Sequence, residues 1–213
     1  MITSNRRLFS KPLRTTLLSL MLVFCAVYTF PMSARAATPG IGDKAPDFTL
    51  STPSGSPLHF RGIFANGEVV LVILRGYPGY QCPYCQRQFH DFMQNASKFA
   101  DANAQVVLVY PGPPADLAQK AKEFTADQHL PSNIHLVIDP DYKVTNLYGL
   151  RWDAPKETAY PSTFLVNSKD VIVFRKISRS HGDRTTAAEI LSEIAKTKKG
   201  VSSTSTTVSS RLS

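Results

Sequence analysis

Apolar residues along this chain fall into short continuous runs separated by segments of helical period. Glu68-Val-Val-Leu-Val-Ile-Leu-Arg75, Ala104-Gln-Val-Val-Leu-Val-Tyr110 and Ile134-His-Leu-Val-Ile138 are β-branched and too short for helices, so they predict buried strands. Between them, Phe89, Phe92, Met93, Phe99 and Ala100 recur at helical spacing and predict a helix over about 83–101. Leu117, Ala121 and Phe124 predict a second helix within 116–128, and 142–148 reads as a short third one ending near Gly149. Ser162–Asn167 and Val171–Arg175 read as a hairpin around Ser168-Lys-Asp170. Ile190, Leu191 and Ile194 mark a last amphipathic helix over 185–199, with lysines in its final turn and Gly200 as its stop. Upstream, 44–51 and 56–60 are short extended pieces about a Pro/Ser/Gly turn, after a flexible start at 37–42. Strands alternating with helices, closed by a hairpin and a helix, predict an α/β class with a central mixed sheet flanked by helices.

Both ends differ from this middle. Residues 1–16 carry Arg6, Arg7, Lys11 and Arg14, residues 17–30 are apolar, and Ala34-Arg-Ala36 follows. Fourteen apolar residues are short for a membrane span and suit a signal-peptide core, so 1–36 is expected to be a signal peptide cleaved before Ala37. The protein is then exported, periplasmic or secreted, and meets a membrane only through the uncleaved signal. Residues 37–200 are expected to form one domain, and the Ser/Thr-rich 201–213 a disordered tail. The formal charge of +8 shrinks accordingly. Without the five signal arginines and lysines, 19 basic residues face 16 acidic ones, which gives no reason to expect nucleic acid.

The chemistry concentrates in Tyr80-Gln-Cys-Pro-Tyr-Cys-Gln86. Cys82 and Cys85 lie three positions apart, after a predicted strand and a Gly/Pro loop, at the start of a predicted helix. Pro83 suits a first helical turn. Cys82 at the helix start is the expected thiolate, because backbone N–H groups and the helix dipole favour negative charge there. Cys85, one turn in, is expected to be more buried. Such a dithiol exchanges two electrons with a disulfide. A structural staple is a weaker reading, since so short a loop removes little unfolded-state entropy. Zinc needs more ligands, and the third cysteine, Cys25, lies in the signal. No cofactor or metal is implied.

Gly42-Asp-Lys-Ala-Pro-Asp-Phe-Thr-Leu50 resembles the opening of the redoxin superfamily, in its AhpC/TSA peroxiredoxin-like and exported thioredoxin-like branches. The strand, the CxxC helix and Tyr160-Pro-Ser-Thr-Phe-Leu-Val-Asn167 match it in order and spacing, from about residue 42 to about 198. The resemblance implies a thioredoxin-like fold. It implies a disulfide-bearing protein or thiol as substrate and a separate electron donor to recycle the dithiol. In the peroxiredoxin register, set by Tyr77-Pro78, Cys85 falls on the peroxidatic position and peroxide is the substrate. That family places an arginine where this chain has Pro161, and Arg75 is the candidate substitute. In the thioredoxin-like register Pro161 is the cis-proline facing the CxxC. The residues expected to carry the site are therefore Cys82, Cys85 and Pro161, supported by Pro83, Tyr84, Arg75, Tyr77 and Pro78. A thiol pair used as soft metal ligands is a third, non-enzymatic alternative.

Overall fold

The computed structural model describes residues 37–209, so the expected signal peptide lies outside the described residues, as does the end of the tail. Seven strands form one mixed sheet in the order β2-β1-β5-β4-β3-β6-β7. They are β1 (Thr49–Ser51), β2 (Pro57–His59), β3 (Glu68–Ile73), β4 (Ala104–Gly112), β5 (Ile134–Pro140), β6 (Ser162–Val166) and β7 (Ile172–Ile177). The three apolar runs become the central parallel strands β3, β4 and β5. β6 pairs antiparallel with β3 and with β7, and β1 antiparallel with β5. The predicted mixed α/β sheet is thus the observed one.

Because strand side chains alternate, each central strand feeds both faces of the sheet. Val70, Val72 and Leu74 join Val106, Leu108 and Tyr110 on one face, while Val69, Leu71 and Ile73 join Val107 and Val109 on the other. The first face is covered by helices α1 (Pro83–Gln94), α2 (Ala96–Asp101), α3 (Leu117–Thr125) and α5 (Ala187–Ser209), which supply Phe89, Phe92, Phe99, Phe124 and Ile190. The second is covered by a 3-10 helix, Phe60–Asn66, and by α4 (Lys143–Leu147) with Tyr148 beside it. Asp139, fully buried at the end of β5, accepts the N–H groups of Val144 and Thr145 at 2.9 and 2.8 Å and so seats α4.

Four expectations need correction. The single helix over 83–101 is two, α1 and α2, broken at Asn95, whose side chain donates to the Asp91 carbonyl at 2.8 Å and competes with the helical ladder. The start of the domain is not flexible: Gly42 N–H donates to the Ile172 carbonyl at 2.9 Å, and Arg175 reaches the Pro39 carbonyl at 2.8 Å. Gly200 does not stop the last helix, which runs on to Ser209 into the segment expected to be disordered. One glycine costs about 1 kcal/mol against alanine, too little to end a helix that is already nucleated. Finally, the described residues contain no cis peptide bond, so the Tyr160–Pro161 bond is trans. Pro161 runs extended into β6 and its carbonyl accepts the Ser178 N–H at 2.8 Å beside the β6–β7 ladder.

Candidate active site

The site lies beyond the carboxyl end of β3, where an α/β sheet offers a crevice. Leaving β3, the chain passes Leu74 and the buried Arg75 and turns at Gly76. Gly76 adopts φ +70°, and a side chain there would meet the Pro111 carbonyl oxygen at 1.9 Å. Only glycine fits. Tyr77 N–H donates to the same carbonyl at 2.9 Å, which fixes the loop to the end of β4. Gln81 ties its far end, donating to the Lys120 carbonyl (2.9 Å) and accepting from the Tyr110 hydroxyl (2.8 Å).

Cys82 is then the N-cap of α1 in extended conformation, with Pro83 opening the helix. Cys82 and Cys85 are thiols here, 1% and 0% exposed. Their protonation is pushed in opposite directions. The Cys82 thiol falls to about 5, chiefly because the Cys85 thiol hydrogen-bonds to its sulfur; burial opposes this, and the Cys85 N–H, Arg184 and Arg75 add to it. The Cys85 thiol is pushed up, first by burial and then by its role as donor to Cys82. One sulfur is a held thiolate and the other a held thiol.

The sequence reading did not find Arg184. It sits in the turn between β7 and α5, with Nη2 3.9 Å from the Cys82 sulfur, Nε donating to the His181 carbonyl at 2.8 Å and Nη1 to Gln88 Oε1 at 3.1 Å. Gln88, on α1, in turn donates to the Thr185 carbonyl at 3.0 Å, so the turn is clamped to the helix bearing both cysteines. Nor did it find Glu157. Arg75, 1% exposed, donates from Nε to Glu157 Oε2 at 2.5 Å, to the Tyr80 hydroxyl at 2.8 Å and to the Lys156 carbonyl at 2.5 Å. Burial works against the Glu157 carboxylate, yet Arg75 and His181 together hold it below the usual carboxylate range.

Of the expected site residues, the structure brings Cys82, Cys85, Pro83 and Arg75 together. Arg75 favours the thiolate of Cys82 rather than of Cys85. Tyr84 stands exposed at the surface with the Arg87 guanidinium 4.5 Å from its ring centre. Tyr77 packs against the core with Lys120 over its ring, and Pro78 is half-buried in the loop. Pro161 lines a narrow crevice with Gln88, Arg184 and Thr185. Trp152 stacks on Tyr160 with ring centres 4.7 Å apart, as packing. His90 is exposed on α1. Among the described residues no three His, Cys, Asp or Glu side chains gather as a metal site would require.

Comparison with known proteins agrees with this architecture. A curated relative, "Peroxiredoxin 2" of Caldanaerobacter subterraneus subsp. tengcongensis, is 28% identical over 144 residues; the match covers 65% of this chain and 61% of that protein. Among solved structures, peroxidoxin BcpB of Mycobacterium tuberculosis superposes with a TM-score of 0.58 at 23% identity, covering 73% of this chain and 96% of that one. A protein of Chlorobium tepidum assigned as the thiol:disulfide interchange protein DsbE gives 0.55 at 22% identity, covering 74% and 99%. These structures share a thioredoxin-like fold with this protein. The AhpC/TSA family matches residues 41–175, well over half of the sequence and all of the sheet's parallel centre, and the chain belongs to that family.

Proposed function

We propose that this protein is an exported thiol–disulfide oxidoreductase. The observation that carries the reading is the asymmetry of the sulfurs: Cys82 caps α1 beside Arg184 and accepts the hydrogen bond of the Cys85 thiol, while Cys85, one turn further on, is the donor. The Cys82 thiolate attacks a sulfur of a partner disulfide, forming a mixed disulfide and releasing the partner's other sulfur as a thiolate, which takes up a proton. Cys82 then carries no charge, so the charge and hydrogen bond that held the proton on Cys85 are gone. Cys85 attacks Cys82 as a thiolate, the Cys82–partner bond breaks, and the proton lost by Cys85 ends on the partner's second sulfur, which leaves as a thiol. The partner gains two electrons, and the Cys82–Cys85 disulfide is returned to the dithiol by a separate thiol reductant. Export rests on the basic, apolar and Ala-Arg-Ala order of residues 1–36.

Two single variants test the exchange. Cys82→Ser is expected to abolish reduction of insulin disulfides. Cys85→Ser is expected to accumulate a mixed disulfide through Cys82, visible as an added mass removed by dithiothreitol. Full insulin reduction by Cys82→Ser refutes the assignment.

A second reading draws on the Tyr77-Pro78 register and on the peroxiredoxin relative: peroxide reduction through a sulfenic acid on Cys85. Its raised thiol, held protonated as donor to Cys82, disfavours it as the first thiolate. Trapping sulfenic acid after one equivalent of hydrogen peroxide separates the readings. Rapid sulfenylation of Cys85 beside an unreactive Cys82 favours the peroxidase.

A further inference from the structure

Across Arg184 from Cys82, the surface opens into a cleft of about 330 Å³ between α1 and the turn that leads into α5. Tyr84, Arg87 and Asp91 form one wall, and Arg184, Thr185 and Thr186 the other. Two guanidinium groups face this space. Arg184 uses Nε and Nη1 on protein acceptors, but the one contact of Nη2 is the Cys82 sulfur at 3.9 Å. Arg87, exposed on α1, lies over the Tyr84 ring and has no hydrogen-bond or ion-pair partner among the described residues. The carboxylate of Asp91 is turned to other work: Oδ2 accepts the Ala187 N–H at 2.7 Å and Oδ1 the Asn95 side chain at 3.2 Å. Thr185 is 2% exposed, and its hydroxyl finds no partner. The cleft therefore offers the unpaired guanidinium of Arg87, and Arg184 connects it to the reactive sulfur. Its second wall, from residue 182 onward, lies beyond the residues that the AhpC/TSA family matches.

We propose that this cleft is a carboxylate subsite, so that the disulfides Cys82 attacks best carry a carboxylate a few bonds from the sulfur, as in a dicarboxylic small disulfide or a cystine near a chain end. Such a group accepts hydrogen bonds from Arg87 and Arg184, and Arg184 in turn adjoins the Cys82 sulfur. The carboxylate takes no part in bond exchange; it holds the substrate. This rests on the disulfide-exchange reading above, and one arm of the test does not.

The first arm measures the rates at which the reduced protein from Ala37 onward reacts with dithiodipropionate, neutral bis(hydroxyethyl) disulfide and cationic cystamine at low salt. The wild type is expected to favour the dianion over the neutral disulfide, and the ratio to fall roughly three- to tenfold in Arg87→Glu. Taking the ratio within each protein removes any general loss of reactivity. Added salt should lower it in the wild type. The second arm compares alkylation of Cys82 by iodoacetate and by iodoacetamide, which needs no disulfide chemistry; the iodoacetate:iodoacetamide rate ratio should fall in Arg87→Glu by a similar factor. Ratios unchanged by Arg87→Glu in both arms overturn the subsite. Failure of all three disulfides to react, with the alkylation ratio still dependent on Arg87, overturns the exchange reading and leaves the subsite standing.

Discussion

At Cys82 the hydrogen bond from the Cys85 thiol, the helix start and two guanidinium groups outweigh the cost of burial, and the thiol ionises near pH 5. Alkylation of the reduced protein by iodoacetamide should therefore rise through a midpoint near pH 5 and level off by about pH 7. Arg184→Gln removes one of the favourable charges and should move that midpoint upward. A midpoint near the value of an unperturbed thiol in the wild type would refute the held thiolate. The same shift has a sign for stability. A thiol whose value is depressed by folding contributes stability that is fully present above the unfolded value, about 8.5, and is lost as pH falls through about 5. The difference in unfolding free energy between reduced wild type and Cys82→Ser should thus shrink as pH is lowered across that range. Cys85 works the opposite way, but only above the unfolded thiol value. The direction of this asymmetry was legible in the sequence from the place of Cys82 at a helix start, but its largest cause, the hydrogen bond from the Cys85 thiol, was not. Arg184 and Glu157 were not, because they reach the site from 102 and 82 residues away and no local period announces a contact of that span.

The elements that present the pair are the end of β3, the loop 74–81 and the first turn of α1. Their existence was legible because a β-branched run, a Gly/Pro loop and a helical period follow one another without ambiguity. The demand placed on Gly76 was not, since it comes from Pro111 on the neighbouring strand. Gly76→Ala combines a positive φ with overlap on a backbone oxygen and should cost roughly 2–4 kcal/mol. That corresponds to a fall in melting temperature of roughly 5–15 °C for a domain of this size. The displaced loop should also slow alkylation of Cys82. An unchanged melting temperature would mean that the loop does not need the close approach to β4. The same logic applies to Arg75→Ala, which takes the buried partner from Glu157 and leaves it His181 alone; breaking a buried pair from one side costs about 3 kcal/mol.

For the whole molecule, strand types were easier to read than strand neighbours. The parallel centre followed from continuous apolar runs, whereas β1 and β2, three residues each, extend the sheet at the β5 edge through pairings that no sequence period encodes. The segment before β1 was misread for a related reason: Pro39-Gly-Ile-Gly42 looks loose locally, yet its partners are Ile172 and Arg175 at the far end of the domain. Those partners bear on where the chain can be cut. The first contacts of the domain begin at Thr38, whose hydroxyl lies 3.4 Å from the Gly149 carbonyl, and continue through Pro39 and Gly42. Cleavage after Ala36 preserves all of them. The protein recovered from its native host should have an intact mass beginning at Ala37, outside the cytoplasm, and should unfold at the same temperature as protein produced from Ala37 directly. A chain begun at Asp43 loses the Gly42 bond to Ile172 and the Pro39 acceptor of Arg175, and should be less stable by roughly 1–3 kcal/mol. Retention of Met1 in the native host would refute the processing, and equal stability of the Ala37 and Asp43 forms would show that this segment does not anchor the domain.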